Sequence, residues 1–338
     1  MSAVIERIRR RARTTPRRLV LPEGHDNRIL QAAERLARDR LAEVVVLGDR
    51  EAVRAAVRST GAVLTGVSVV DAADPDEIAR TAAALRAARG DRLDRPTLEA
   101  CAKDPMFQAA ARVRDGRADC FVGGAARPTA DVLRAAMWLI GLAEGVKRVS
   151  SFFLMVVPPR AGGAERVMMF ADCAVAPEPD PGQLAEIGCL TADHFARLTG
   201  EVPHTAFLSF STRGSAEHPR VARVQEAVAL ARARRPDLHI DGELQADAAL
   251  VPEIGKRKAP DSVVAGVANV LIFPDLDSGN IGYKLVQRLA GAEAYGPILM
   301  GLARQANDLS RGCSAADVVE VATIACALAG APGMGAGA

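Results

Sequence analysis

The sequence predicts an α/β protein with a mainly parallel sheet and helices on both of its faces. Two observations carry this. Short apolar runs alternate with amphipathic stretches through the first half of the chain, the pattern of βα units. Roughly half of the 338 residues are apolar (49%), enough for one large α/β unit or two domains.

Taken in order, the basic stretch with Arg7, Arg9, Arg10, Arg11, Arg13, Arg17 and Arg18 lacks the apolar core of a signal peptide. It reads as a solvated first helix. Residues 18–21 form a short strand ending in Pro22-Glu23-Gly24. Residues 27–38 are helical, with Ile29, Leu30, Ala33 and Leu36 on one side. Residues 43–47 are a continuous apolar strand, followed by Gly48-Asp49 and another helix. Residues 67–70 read as strand and 76–88 as helix. Residues 120–122 are a strand ending in Gly123-Gly124, and 129–140 a helix.

Near Gly145 the texture changes, and a domain boundary is placed there. Residues 150–157 and 167–170 are apolar strands separated by Pro and Gly, which favours antiparallel pairing. Residues 181–198 are helical, with Leu184, Ile187, Phe195 and Leu198 on one face. Then come a strand at 205–209, a helix at 219–234, strands at 238–240 and 270–273, and a helix at 281–289. The Gly- and Ala-rich tail from Gly330 is expected to fray.

Composition excludes several function classes. A net charge of +2 gives no general pull on nucleic acid, and 4% aromatics leave little for base stacking. No apolar run approaches a membrane span. The six cysteines are scattered without a Cys-x-x-Cys pair, which suits a reducing cytoplasm. Neither Gly-x-Gly-x-x-Gly after a strand nor Gly-x-x-x-x-Gly-Lys-Ser/Thr is present, so dinucleotide and P-loop readings lose their support. No His-Glu-x-x-His exists, and no metal site is expected. Residues 275–280 resemble half of a calcium loop. Its twelfth position is Val286, where a bidentate glutamate is needed.

Residues 307–317 gather two hydroxyls, a guanidinium, a thiol and carboxylates around Gly312. Val318, Val321, Ala325 and Leu328 then recur at helical spacing. The stretch therefore reads as a loop entering a helix N-terminus, where free N–H groups and the helix dipole favour anions. Ser314 and Asp317 have the spacing of a weak capping box, so capping is the plain reading of Asp317. Cys313 lies near Arg311 and a helix start, both of which lower a thiol pKa. Cysteine is also a common small core residue.

Four stretches then point the same way: 119–134, 241–253, 269–284 and 296–314. The run Phe-Pro-Asp-Leu-Asp-Ser-Gly-Asn-Ile-Gly-Tyr-Lys at 273–284, followed by Asn-Asp-Leu-Ser-Arg-Gly-Cys-Ser at 307–314, is the most specific. Together they resemble the phosphate acetyltransferase (phosphotransacetylase) family over nearly the whole chain. The resemblance implies two α/β domains flanking a cleft, similar to isocitrate and isopropylmalate dehydrogenases. The first would comprise 1–145 plus 297–330, and the second, 146–296, would pair the chain into a homodimer. It implies reversible acetyl transfer between acetyl phosphate and coenzyme A, with inorganic phosphate released and coenzyme A a substrate, not a bound cofactor. Ser310, Arg311 and Asp317 match the family's reaction centre. Arg134 matches a substrate-binding arginine, and Arg86 a second, with Arg89 and Arg92 as neighbours. The chain departs from the family at Ala135, Phe210 and Asp277.

The chemistry suits these residues. Acetyl phosphate and coenzyme A are anions, and the arginine fork binds two phosphate oxygens at once. Ser310 can hydrogen-bond the carbonyl or phosphate as charge shifts. Gly123 and Gly124, and the 209–214 loop with Ser211 and Thr212, are expected to turn backbone N–H groups towards the same anions. The nucleophile is the thiolate of coenzyme A, attacking in a ternary complex without a metal. Moving a proton from a thiol of pKa about 8.5 to an ordinary aspartate of about 3.9 is uphill by roughly 6 kcal/mol. A thiolate held by Arg311 and the helix dipole is thus easier to reconcile than Asp317 acting as an unaided base. The alternatives are a butyryl-type acyltransferase and a non-catalytic regulatory domain of the same family.

Overall fold

The computed structural model describes residues 2–159 and 163–329. The tail from Gly330 lies outside the described residues. In chain order the elements begin α1 (Ala3–Thr14), β1 (Arg18–Leu21), α2 (Asn27–Arg38), β2 (Glu43–Gly48), α3 (Arg50–Thr60), β3 (Val67–Asp71) and α4 (Pro75–Arg89). Next come α5 (Arg95–Lys103), α6 (Pro105–Arg114), β4 (Cys120–Gly123), α7 (Thr129–Leu139), β5 (Ser150–Val157), β6 (Arg166–Ala171), α8 (Pro181–Thr199) and β7 (His204–Leu208). The chain continues through α9 (Pro219–Arg234), β8 (His239–Leu244), α10 (Ala246–Leu250), α11 (Pro252–Lys258), β9 (Val270–Ile272) and α12 (Leu276–Leu289). It closes with β10 (Glu293–Met300), β11 (Gln305–Asp308) and α13 (Ala315–Ala329).

The chain divides into two compact units, Ala3–Gly145 with Pro297 onward, and Val146–Gly296. The first is built on a five-stranded sheet of order β11-β4-β1-β2-β3, parallel at every pair. Its inner strands are apolar runs because both faces are covered: Leu19, Val20, Leu21, Phe121 and Val122 are fully buried. Strand order reverses beside β1, since β2 and β3 extend to one side and β4 and β11 to the other. Helix starts follow the caps that the sequence offers. Asp26 caps α2 and Asp49 caps α3 with their side chains, and Asp74 precedes Pro75 at the start of α4.

The second unit carries a six-stranded sheet of order β10-β5-β6-β9-β7-β8. β5 and β6 pair antiparallel, as the Pro- and Gly-containing connection predicts, whereas β6-β9, β7-β9 and β7-β8 are parallel. Asp180 and Gln183 form a full capping box at the start of α8, which is buried along most of its length.

Four expectations change. The first helix is not solvated all round: Val4, Ile5, Ile8 and Ala12 are buried, and Arg9 pairs with Glu320 on α13. The arginines occupy one face and mask the apolar periodicity. α5 and α6 were not predicted, although Asp94 and Asp104 cap them with Pro at the first turn. α12 begins at Leu276, five residues before its predicted start, because Asp275 caps it. Finally, Asn307 and Asp308 are strand, not loop. β11 is mostly buried and polar, and the Leu299 N–H donates to Asn307 Oδ1 there at 2.8 Å.

Candidate active site

Loops leave the carboxyl ends of three neighbouring strands of the first sheet, β1, β4 and β11. In open parallel sheets this edge, at the reversal of strand order, is where ligands bind.

The loop after β1 carries Glu23, which is only 2% exposed. Its carboxylate accepts the backbone N–H groups of Gly124 (2.8 Å), Ala125 (2.9 Å) and Ala126 (2.8 Å). The turn after β4 is therefore an anion nest, and a side chain of the protein fills it. Arg28, the second residue of α2, ties three loops together. It donates to the carbonyls of Ala125 (2.6 Å), Arg311 (2.7 Å) and Cys313 (3.0 Å), and to Asp26 at 2.7 Å. Burial works against the charge of Asp26, but its bonds from Arg28 prevail and hold it below the usual carboxylate range.

The loop after β11 begins at Leu309, whose N–H donates to the Gly123 carbonyl at 2.8 Å. Ser310 closes a small turn: its Oγ accepts from the Gly312 N–H (3.2 Å) and its carbonyl from the Cys313 N–H (2.9 Å). Ser310 and Arg311 are exposed. Among the described residues, no group pairs with the Arg311 guanidinium. Ser314 and Asp317 cap α13 reciprocally. The Ser314 N–H and hydroxyl donate to Asp317 Oδ2 at 2.8 and 2.9 Å, and the Asp317 N–H returns a 3.2 Å bond to Ser314 Oγ. Cys313 is buried. Burial pushes its thiol up and outweighs the pull of Arg28, so the expected activation of this thiol is not realised.

Asp308, the last residue of β11, is 3% exposed. Its Oδ2 accepts from the Thr129 hydroxyl at 2.5 Å, while its Oδ1 has no partner. Burial, opposed by the Thr129 bond and reinforced by the charge of Glu23, raises its carboxyl to about 7. Gly124 makes room for Asp308. It sits at φ +102, and a Cβ there would lie 2.2 Å from Asp308 Oδ1.

This sheet edge thus gathers Gly123, Gly124, Ser310 and Arg311, with Asp317 at the start of α13. The donor expected at Gly124 is already taken by Glu23. Arg134 lies on α7, 3.2 Å from Asp131, which also receives Arg127 at 3.1 Å. Arg86 is exposed in the last turn of α4, where its charge acts on Glu99 of α5. Among the described residues, no hydrogen bond or ion pair joins it to the 309–314 loop.

Ser211 and Thr212 lie in the second unit and are buried. The Ser211 hydroxyl donates to Glu243 at 2.8 Å, and the Gly214 N–H donates to the same oxygen at 2.7 Å. The Thr212 N–H goes to Ser215 Oγ at 3.0 Å, and Thr212 Oγ1 accepts from the Gln245 N–H at 2.9 Å. The donors expected to face an anion at Thr212 and Gly214 are spent inside the loop. The sequence reading passed over Glu23, Arg28, Thr129 and Asp308 as site residues. Their signal was position at the ends of strands, visible only once strand order is known.

Residues 3–326 match the family described as Phosphate acetyl/butaryl transferase. The chain is 46% identical to the Phosphate acetyltransferase of Paracoccus denitrificans, over 95% of this chain and 97% of that one. It is 45% identical to the Phosphate acetyltransferase of Acetivibrio thermocellus, over 95% and 96%. Its fold is similar to the crystal structure of a Phosphotransacetylase from Streptococcus pyogenes, with a TM-score of 0.90 and 39% identity. That match covers 97% of this chain and 99% of the other.

Proposed function

Because the chain belongs to the phosphate acetyl/butaryl transferase family, we propose that it transfers an acetyl group reversibly between acetyl phosphate and coenzyme A. It is an acyltransferase, and the acetyl group is favoured over butyryl by the names of its relatives. The observation that carries the site assignment is the exposed Arg311, unpaired among the described residues, beside Ser310 and just before the N-terminus of a fifteen-residue helix. A phosphate there meets a guanidinium fork and a favourable helix dipole together.

Coenzyme A supplies its own thiol, so the protein has to orient two anions and spread charge. Arg311 binds the leaving phosphate, and Ser310 hydrogen-bonds the acyl oxygen as negative charge develops. The thiolate attacks the acetyl carbon, the C–O bond to phosphate breaks, and phosphate leaves on Arg311. Asp317 fixes the turn through Oδ2 and is the candidate acceptor of the thiol proton, aided by Arg311 and the helix dipole, which stabilise the thiolate. Arg134 contributes to binding along α7; Arg86 is the second binding arginine, and Ser211 and Thr212 shape a loop in the second unit. Enzyme mixed with acetyl phosphate and coenzyme A should form thioester, followed by its absorbance. Butyryl phosphate should react far more slowly; equal rates would favour the broader acyltransferase, and no product from either would overturn the assignment.

The second unit also supports a homodimer. Ile281, Leu285 and Leu289 form an i, i+4, i+8 stripe on α12 and are 57%, 51% and 81% exposed. Light scattering should give a dimer for the wild type and a monomer for Leu289→Glu; a monomeric wild type rejects this pairing. The six cysteines are all unpaired, which suits work in the cytoplasm. Among the described residues no helix is long and apolar enough to cross a membrane.

A further inference from the structure

Asp308 has no part in the reaction as described, yet it is the buried acid nearest in sequence to Ser310 and Arg311. It ends the strand from which their loop springs. One oxygen meets Thr129, the first residue of α7, and the other lies against the backbone of Gly124 with no donor. Asp308 is thus wedged between the start of α7 and the turn after β4. The turn's own donors, the N–H groups of Gly124, Ala125 and Ala126, are spent on Glu23.

Two carboxyls so placed, one on each side of a turn, do not share its donors equally. Glu23 receives three N–H bonds, and Asp308 receives one hydroxyl, on Oδ2. Of two carboxyl groups in one site, the one with fewer donors holds its proton more readily.

We propose that Asp308 is a positioning residue that works as a neutral carboxylic acid, locking the Ser310–Arg311 loop against the start of α7 and the Gly123-Gly124 turn. Ionisation puts a second negative charge beside Glu23, three residues from the arginine that must attract phosphate. The loop loosens, and the approach of an anionic substrate is opposed. Arg311 is left open to solvent, and the charged groups on the other surrounding elements are engaged. Arg28 is held by Asp26 and three carbonyls, Arg127 by Asp104 and Asp131, and Asp317 by Ser314. None of these is hydrogen-bonded to Asp308. Its raised carboxyl, near neutrality, places the change within the working range of a cytoplasmic enzyme.

The inference rests on the acyl-transfer reading for its kinetic arm, but not for its stability arm. Asp308→Asn mimics the neutral acid in shape and charge. It should recover, to within about threefold at pH 6, activity that Asp308→Ala loses by about tenfold or more, the range of a misplaced catalytic group. Wild-type kcat should fall as pH rises through about 7, and the asparagine variant should not follow it. A raised aspartate pKa means that the folded state holds the proton more tightly. Wild-type stability from this group is therefore full below the unfolded value and lost as pH rises towards the folded one. Melting curves should show Asp308→Asn gaining on the wild type between pH 5 and 8. A melting difference independent of pH, or an asparagine variant as inactive as the alanine one, overturns the proposal. A wild type with no transferase activity would overturn the assigned function instead, and the melting arm would still decide where the proton resides.

Discussion

The turn after β4 and the loop after β7 use the same device with different results. In each, a buried glutamate accepts backbone N–H groups of a strand-end loop: Glu23 for Gly124 to Ala126, Glu243 for Gly214. In the second loop the Ser211 hydroxyl and the Thr212 and Gly214 N–H groups find partners nearby, and Ser211, Thr212, Ser215 and Gln245 bond to one another. Beside the first, Ser310 and Arg311 stay exposed, and the guanidinium has no partner among the described residues. Satisfied donors build scaffold. A loop becomes reactive where a rigid scaffold supports a group that is left unsatisfied.

The largest effect should come from removing that unsatisfied group. Arg311→Ala is expected to lower kcat by about 10²–10³, the range for one electrostatic stabiliser. Arg311→Lys should recover only part, because an ammonium cannot reproduce the planar fork. Its melting temperature should barely move, since the side chain has no partner among the described residues. Activity within twofold of wild type would break the contrast between the loops.

A smaller and opposite effect is expected at Glu243. Burial works against its charge, but the Gly214 and Ser211 hydrogen bonds hold it below the usual carboxylate range. A depressed pKa gives stability that is present above the unfolded value and lost as pH falls through the folded one. Glu243→Gln should cost about 1–3 kcal/mol at neutral pH, and the loss should shrink in acid. Denaturant titrations at pH 7 and 4 check this. A kcat loss larger than the stability change explains would give the loop after β7 a direct part in the chemistry.

Much of the fold was legible because its signals are local. The helical periodicity of 27–38 and 181–198, apolar runs such as 43–47, and the glycines at 123–124 mark boundaries within a few residues of the observed ones. β11 was not legible, because Gln305, Asn307 and Asp308 are polar and pair with β4 only through tertiary structure. At the site, the exposed residues were read and their supports were not. Ser310 and Arg311 announce themselves by residue type within one short stretch. Glu23 lies about a hundred residues from the N–H groups it accepts, and Arg28 nearly three hundred from the Arg311 and Cys313 carbonyls it reaches. No periodicity links partners so far apart. The capping bonds of Asp317 were predicted from spacing, and they act over one helical turn.

The grip of Glu23 and Arg28 on the reacting loops falls on main-chain atoms: three N–H groups and three carbonyls. Every residue except proline offers both of these, so the grip is blind to what the gripped positions carry. The side chain at the exposed Ala126 can therefore be exchanged in a mutagenesis library without dismantling the support. Diversity at that site would sample specificity, whereas diversity at Glu23 or Arg28 would sample only collapse.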